Sequence, residues 1–301
     1  MQNYPKVSAM LALYGDTNFI RDCLNSLEND YPNLEIIIKN QKSDVSAKSS
    51  EILKKEFPSV ILIEGENNGL AAGFNDCIKK ASGEYFLFLG SDTRPYKGTV
   101  EGLVNFLKSN PEVGAVTPEL LLGDGSIDMD AHRAFPTPWI SFTRLFGLQK
   151  LFPNSNLFNG YFLPDRDMTK PHEIDLCISH FMMVPRNVYE KVGSFDEAFF
   201  LYGEDVDYCY RIKQAGYKIF YLPQFKSIHL KGVSVGIRKT TRDMVKKPLD
   251  HRLKMQKLTT DSMQIFVKKH YYKKYPKLFV NFMLFGANLL GFIRINRERS
   301  K

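Results

Sequence analysis

Apolar residues in the first ninety positions fall into short runs separated by amphipathic stretches. Val7–Tyr14 (VSAMLALY) has the length of a buried strand. Asp16 or Thr17 can cap the helix that follows, in which Ile20, Cys23, Leu24 and Leu27 recur at helical spacing. Leu34–Ile38 is a second strand, Ser46–Phe57 a helix, Val60–Glu64 a third strand, Ala71–Ala81 a helix and Tyr85–Leu89 a fourth strand. This alternation predicts an α/β fold: a Rossmann-like, mostly parallel central sheet flanked by helices, with right-handed crossovers. Ligands of such sheets sit beyond the carboxyl ends of the strands. The residues just past Tyr14, Ile38, Glu64 and Leu89 are therefore where chemistry is expected.

The pattern then changes. Thr99–Ser109 reads as a helix and Val113–Pro118 as a strand, and Leu122–Asp130 carries the Gly-Asp-Gly punctuation of a hairpin. Residues 135–171 are rich in Phe, Pro and Asn with little periodicity, and read as a long, partly ordered loop. Cys177–Val184 is a strand, Pro185–Val192 a short helix and Lys218–Leu222 a strand. Between them a helix begins after Gly203, buries Val206, Cys209, Tyr210 and Ile212, and is closed by Gly216.

Charge divides the chain. The net formal charge is +8, but residues 231–301 hold 18 Lys+Arg against 4 Asp+Glu, so the basic excess sits in the tail. That asymmetry points to an anionic partner for the tail. Within it, Leu278–Ile293 (LFVNFMLFGANLLGFI) is apolar and flanked by Lys273, Lys274 and Lys277 before and Arg294, Arg297 and Arg299 after. It is short for a membrane span, so two readings stay open: a helix lying in the interface of an anionic membrane, or one packing on the core or a second subunit. The expected division is residues 1–235 as the main domain and 236–301 as a basic, amphipathic helical region. The four cysteines form no CxxC pair, which signals neither a zinc site nor a disulfide framework and suits reduced thiols in the cytoplasm. The start, MQNYPKV, lacks the pattern of a secretory leader. No zinc-finger or helix-turn-helix signature supports a nucleic-acid partner.

Three blocks carry candidate chemistry. Gly90-Ser91-Asp92-Thr93-Arg94-Pro95 follows the fourth strand, and Asp92 can ligate a divalent cation or close an Asx-turn. In Ile61–Asn75, Asn67 or Asn68 can cap a helix while Gly69 turns, or Asn68 and the backbone can approach a nucleotide. Phe195–Pro223 (FDEAFFLYGEDVDYCYRIKQAGYKIFYLP) sets Glu204, Asp205 and Asp207 at a helix start, more acid than the helix dipole needs, and His229 follows the next apolar run.

In their order, these blocks resemble the family 2 glycosyltransferases, the inverting enzymes of the GT-A fold. Rhamnosyltransferase-like and galactofuranosyltransferase-like members come nearest, over about residues 6–235. The resemblance implies transfer of a sugar from a nucleotide diphosphate to a saccharide or lipid-linked saccharide acceptor, with Mn²⁺ or Mg²⁺ as cofactor. It implies Asp92 and His229 as metal ligands and Asp205 as the base, with Glu204 and Asp207 orienting the acceptor or positioning Arg211. It implies a donor site from Tyr14, Asn40, Asp44, Asn68, Gly69, Asn75 and Ser91, with Arg133 on the diphosphate or acceptor. By resemblance the donor is dTDP-rhamnose first and a UDP-hexose second, in cell-surface polysaccharide synthesis. The enzyme would lie in the cytoplasm, peripheral at the inner face of the cell membrane.

Two positions depart from the family pattern. Gly90 stands where an acid or Asn is usual, and Lys39 stands where relatives hold the nucleoside with Asp. A Lys cannot accept a hydrogen bond from a base or ribose, so Lys39 either redistributes those contacts or reaches a phosphate. The competing reading is a non-catalytic nucleotide- or sugar-binding protein of the same fold. A nucleotidyltransferase would need a Gly-rich basic loop after the first strand, where this chain has Gly15-Asp16-Thr17-Asn18. The Gln-x-x-Arg-Trp block of processive synthases is absent, which favours addition of one sugar or a few.

Overall fold

The computed structural model describes residues 4–15, 18–28, 30–230 and 248–300. The caps expected at Asp16 or Thr17 and the boundary expected at 235/236 lie outside the described residues.

The alternation of the first half becomes strand β1 (Val7–Tyr14), helix α1 (Ile20–Glu28), β2 (Leu34–Gln41), α2 (Ser46–Glu56), β3 (Ile61–Gly65), α3 (Leu70–Ile78) and β4 (Tyr85–Leu89). These four strands are parallel and adjacent in the order β3-β2-β1-β4. Side chains of a strand alternate between faces, and here each face has its own core. Leu11, Leu13, Leu87 and Leu89 pack on α1. Met10, Phe86 and Phe88 point the other way, onto Phe74 and Cys77 of α3. Being buried on both faces, β1 and β4 read as continuous apolar runs.

The second half completes one mixed sheet. Its elements are β5 (Thr93–Pro95), α4 (Thr99–Ser109), β6 (Val113–Leu121), α5 (Pro138–Leu145), α6 (Leu148–Leu151), α7 (Asn156–Asn159), β7 (His172–Ile174), β8 (Phe181–Pro185), α8 (Arg186–Val192), α9 (Glu204–Gln214) and β9 (Lys218–His229). β8 runs antiparallel between β4 and β6, β9 is parallel to β6, and β5 and β7 are antiparallel to β9. β9 is longer than the pattern suggested. Pro223 hides its continuation, and the pairing with β6 shifts register between Pro118 and Glu119 to pass it.

Residues 135–171 are not a plain loop. Thr137 caps α5 by accepting a hydrogen bond from the Ile140 N–H at 3.3 Å, with Pro138 in the first turn, and α6 and α7 follow. The tail forms a helical hairpin, α10 (Leu249–Tyr271) and α11 (Lys277–Arg299). Phe266, Tyr271, Val280 and Met283 pack with Phe199 and Tyr210, seating the hairpin on α9.

The stretch leading into α9 is fixed by Asn75 on α3. Its amide accepts from the Phe195 N–H at 3.0 Å and donates to the Phe195 carbonyl at 3.0 Å and to Glu197 at 2.8 Å. Asn75 was expected to contact the donor. In the structure both ends of the amide are engaged by the chain. Asn75→Ala leaves a buried backbone N–H unpaired and is expected to lower stability by about 1–3 kcal/mol, read from urea unfolding midpoints.

Candidate functional site

The end of β4 turns sharply: Thr93 donates its hydroxyl to the Gly90 carbonyl at 2.7 Å. β5 then pairs with β9, setting Thr93 opposite His229, and the Leu230 N–H donates to the Asp92 carbonyl at 3.0 Å. Strand register therefore brings Asp92 and His229 together from positions 137 residues apart. The His229 Nε2 lies 3.8 Å from an Asp92 carboxylate oxygen, and both side chains are buried.

His180, which sequence reasoning missed, completes this cluster. Leu89 pairs with Phe181, and the Gly90 N–H donates to the His180 carbonyl at 3.0 Å, so His180 must emerge beside Gly90. One ligand atom each from Asp92, His180 and His229 lies within 4.8 Å of the others. His180 also explains the departure at Gly90. A Cβ there would stand 2.5 Å from the His180 ring and 2.8 Å from Asp92. Burial, and then the neighbouring His229, lower the His180 pKa and favour the neutral imidazole that a metal needs.

Asp128, also missed, accepts from His229 Nδ1 at 2.9 Å. That fixes the ring so that Nε2 is the nitrogen aimed at Asp92, the second-sphere arrangement of a metal-binding histidine. One carboxylate and two imidazoles, one of them oriented by a buried acid, are a donor set that fits Mn²⁺ and suits the harder Mg²⁺ less well. The only sequence signal for Asp128 was its place in the hairpin block.

The three acids of α9 have separate fates. The helix starts after two left-handed residues, Tyr202 (φ 66°) and Gly203 (φ 80°). Glu204 is buried; one oxygen accepts from the Ser179 hydroxyl at 2.9 Å and the other has no hydrogen-bond partner among the described residues. Burial first, and the adjacent Asp205 second, raise its pKa from 4.5 to about 8. Asp205 is 3.4 Å from the Arg133 guanidinium, which also donates to Tyr161 at 3.1 Å. Burial works against the Arg133 charge, but Tyr161 and Asp205 outweigh it and hold the pKa above its ordinary value.

Asp207 turns away from this group. It is fully buried and takes Arg211 at 2.8 Å, Lys269 at 2.7 Å and His270 at 2.7 Å. Burial alone would raise its pKa, but His270, Lys269 and Arg211 bring it down to about 2. Of the two roles expected for Asp207, orienting the acceptor or positioning Arg211, its contacts match the second. It positions Arg211 and anchors α10.

The expected donor residues lie along the same carboxyl edge without forming one cluster. Tyr14 is exposed at the end of β1, Ser91 is partly buried beside Asp92, and Asp44 and Asn68 are exposed. Asn40 donates to the Ser46 carbonyl and the Ser50 hydroxyl, both at 2.8 Å, while its own oxygen is buried without a partner. Gly69 has the expected positive φ (97°), and the Phe200 carbonyl, which would lie 2.3 Å from a Cβ there, demands it. Lys39 reaches no open site: it is 7% exposed and pairs with Asp76 of α3 at 3.0 Å.

The carboxylate–imidazole cluster and the acid pair lie beyond the carboxyl ends of the parallel strands, where open α/β sheets hold their ligands. The family model for glycosyl transferase family 2 matches residues 8–193, and the chain belongs to that family. It is similar to the rhamnosyltransferase WbbL of Escherichia coli, 22% identical over 74% of this chain and 83% of that one. It is also similar to the N-acetylglucosaminyl-diphospho-decaprenol L-rhamnosyltransferase of Mycobacterium tuberculosis, 23% identical over 70% of this chain and 71% of that one. It spans 33% or less of several longer relatives. Its fold is shared with the Pyrobaculum calidifontis mannosyltransferase PcManGT solved with GDP-Man and Mn²⁺. That match has a TM-score of 0.57 and 15% identity, over 99% of this chain and 74% of that one.

Glu204 makes the site measurable. Between pH 4.5 and about 8 the unfolded chain has released this proton and the folded chain has kept it. Its contribution to stability therefore falls as pH rises through that window. Glu204→Gln is expected to flatten the profile and to gain on the parent protein toward pH 8, as followed by thermal unfolding. An unchanged slope would mean that Glu204 titrates as an ordinary acid.

Proposed function

We propose that the protein transfers a single sugar, with inversion, from a nucleotide diphosphate to a hydroxyl of a saccharide or lipid-linked saccharide acceptor. The donor is dTDP-rhamnose in the first instance and a UDP-hexose in the second. The observation that carries this reading is the adjacency of Ser179 and His180: one holds Glu204 of the acid pair, and the other belongs to the Asp92–His180–His229 cluster. The acid pair and the ligand set are thereby tied to adjacent residues of the turn that leads into β8.

Asp205 is the base. Burial and the neighbouring Asp205 push the Glu204 pKa up to about 8, while the Asp205 carboxylate lies 3.4 Å from the Arg133 guanidinium, which makes Asp205 the better placed of the two to accept a proton. A carboxylate so placed can take the acceptor hydroxyl proton as its oxygen attacks. Arg133 limits the motion of Asp205 and offers a second positive group to the diphosphate or the acceptor. Bound by Asp92, His180 and His229, a divalent cation would neutralise charge on the leaving diphosphate. A lipid-linked acceptor is supported by the decaprenol diphosphate in the name of the mycobacterial relative. With it goes a place at the inner face of the cell membrane, in cell-surface polysaccharide synthesis.

One observation favours the non-catalytic reading: Lys39 and Asp76 close on each other where the resemblance puts a nucleoside-binding carboxylate. Thermal shifts with dTDP, UDP and GDP, each with and without Mn²⁺, separate the two. Metal-dependent stabilisation by one nucleotide, together with sugar release from its sugar conjugate, supports transfer. Binding without turnover supports the alternative.

Asp205→Asn is expected to fold normally and to lose on the order of 10²–10⁴ in turnover. Near-normal turnover would move the base to Glu204. Asp128→Asn keeps a hydrogen-bond acceptor but loses the charge behind His229. It is expected to weaken Mn²⁺ binding by roughly 10–100-fold in calorimetry, with little change in unfolding temperature without metal.

A further inference from the structure

Among the described residues, seventeen large apolar side chains stand more than a third exposed, and eleven of them fall within residues 139–157 and 278–293. On α11 the exposed Leu278, Phe285, Leu289 and Phe292 form one stripe, while Val280, Met283 and Ala287 are buried on the other side. In the middle segment Trp139, Phe146, Leu151, Phe152 and Leu157 are exposed.

These two stretches make one surface. The Phe142 ring of α5 is 6.1 Å from Phe282 of α11, and Leu145 closes on Gly286. From Phe142 the rings continue: Trp139 stacks on it at 5.5 Å, Phe146 lies 4.7 Å away, and Phe158 links Trp139 to Phe152. Lone exposed apolar residues are ordinary, but a linked set of this kind marks an interaction surface.

The charge around it selects the partner. Exposed Lys273, Lys274 and Lys277 stand at one end of α11, Arg297 and Arg299 at the other, and Lys150 on the middle segment. The only acid from residue 272 to 300 is Glu298, buried 3.0 Å from Arg252. A twofold contact with a second copy would set these cationic rims against each other. α11 is long and apolar enough to cross a membrane. Crossing, however, would strip Val280 and Met283 from their packing with Phe266 and Tyr271.

We propose that α11 and the α5–α7 segment form a single docking face for an anionic lipid bilayer, with α11 lying parallel to the membrane plane. The apolar stripe and the aromatic rings enter the interface, and the cationic rim meets the headgroups. The sequence pattern indicated α11 alone. The middle segment is the new half of the surface.

Trp139 is the only tryptophan in the chain and reports on that half directly. The test uses the full chain with vesicles of phosphatidylcholine alone or mixed with phosphatidylglycerol, some carrying brominated acyl chains. The expected result is flotation with the anionic vesicles, weakened by salt, with a blue shift and bromine quenching of Trp139 emission. Leu151→Asp combined with Phe292→Asp, both exposed positions, should keep the unfolding temperature and cut partitioning by about tenfold or more. Flotation without Trp139 quenching would overturn the composite face and leave α11 acting alone. Absence of flotation would overturn it altogether, with a dimer in sedimentation identifying a second copy as the occupant. Vesicle binding needs neither nucleotide nor metal, so its failure is distinct from a failure of the transfer reading.

Discussion

Leu89 of β4 pairs with Phe181 of β8, and the Gly90 N–H takes the His180 carbonyl. Most of the site follows from that antiparallel pairing. It points the His180 side chain at Asp92 and leaves Ser179 facing α9, where it holds Glu204. A one-residue slip would exchange the faces of Ser179 and His180 and separate the ligand cluster from the acid pair. The neighbouring Met182, Met183 and Val184 are wholly buried on alternate faces, which makes such a slip costly. The hydrophobic core thus sets the register, and the register sets the chemistry.

Three carboxylates in the first turn of one helix would repel each other if all were alike. The surroundings make them different. Burial raises the Glu204 pKa, Asp205 lies next to Arg133, and Asp207 is matched by Arg211 and Lys269. Favourable interaction with the helix N-terminus is shared by all three, so it cannot explain the division. The deciding terms are desolvation and the nearest partner. Removing a partner of Asp207 would leave a buried charge uncompensated, so the seating of α10 and the start of α9 are coupled.

The parallel half of the fold was legible because β1, β2 and β4 are buried on both faces and their apolar runs stand out between amphipathic helices. The antiparallel half was legible only in part: strands were read at Val113–Pro118, Cys177–Val184 and Lys218–Leu222, but β5 and β7 are three residues long and Pro223 interrupts β9. Asp92, His229 and the Glu204–Asp205 pair could be picked out because each closes a recognisable element. His180 and Asp128 could not, since their meaning comes from pairings across 88 and 101 residues, and both lie in turns between named strands. Asp207 and Asn75 show a related limit. A polar residue in a functional block looks functional until its hydrogen bonds are counted, and theirs are taken up by Lys269 and Phe195.

Residues 135–163 connect two features that are distant in the sequence. Tyr161, at their far end, holds Arg133 beside Asp205 and receives Arg144 of α5 over its ring at 3.9 Å. The same helix carries Phe142, the ring through which the exposed aromatic surface joins α11. The face proposed for the bilayer and the Arg133–Asp205 pair therefore share one helix, α5, and one ring, Tyr161.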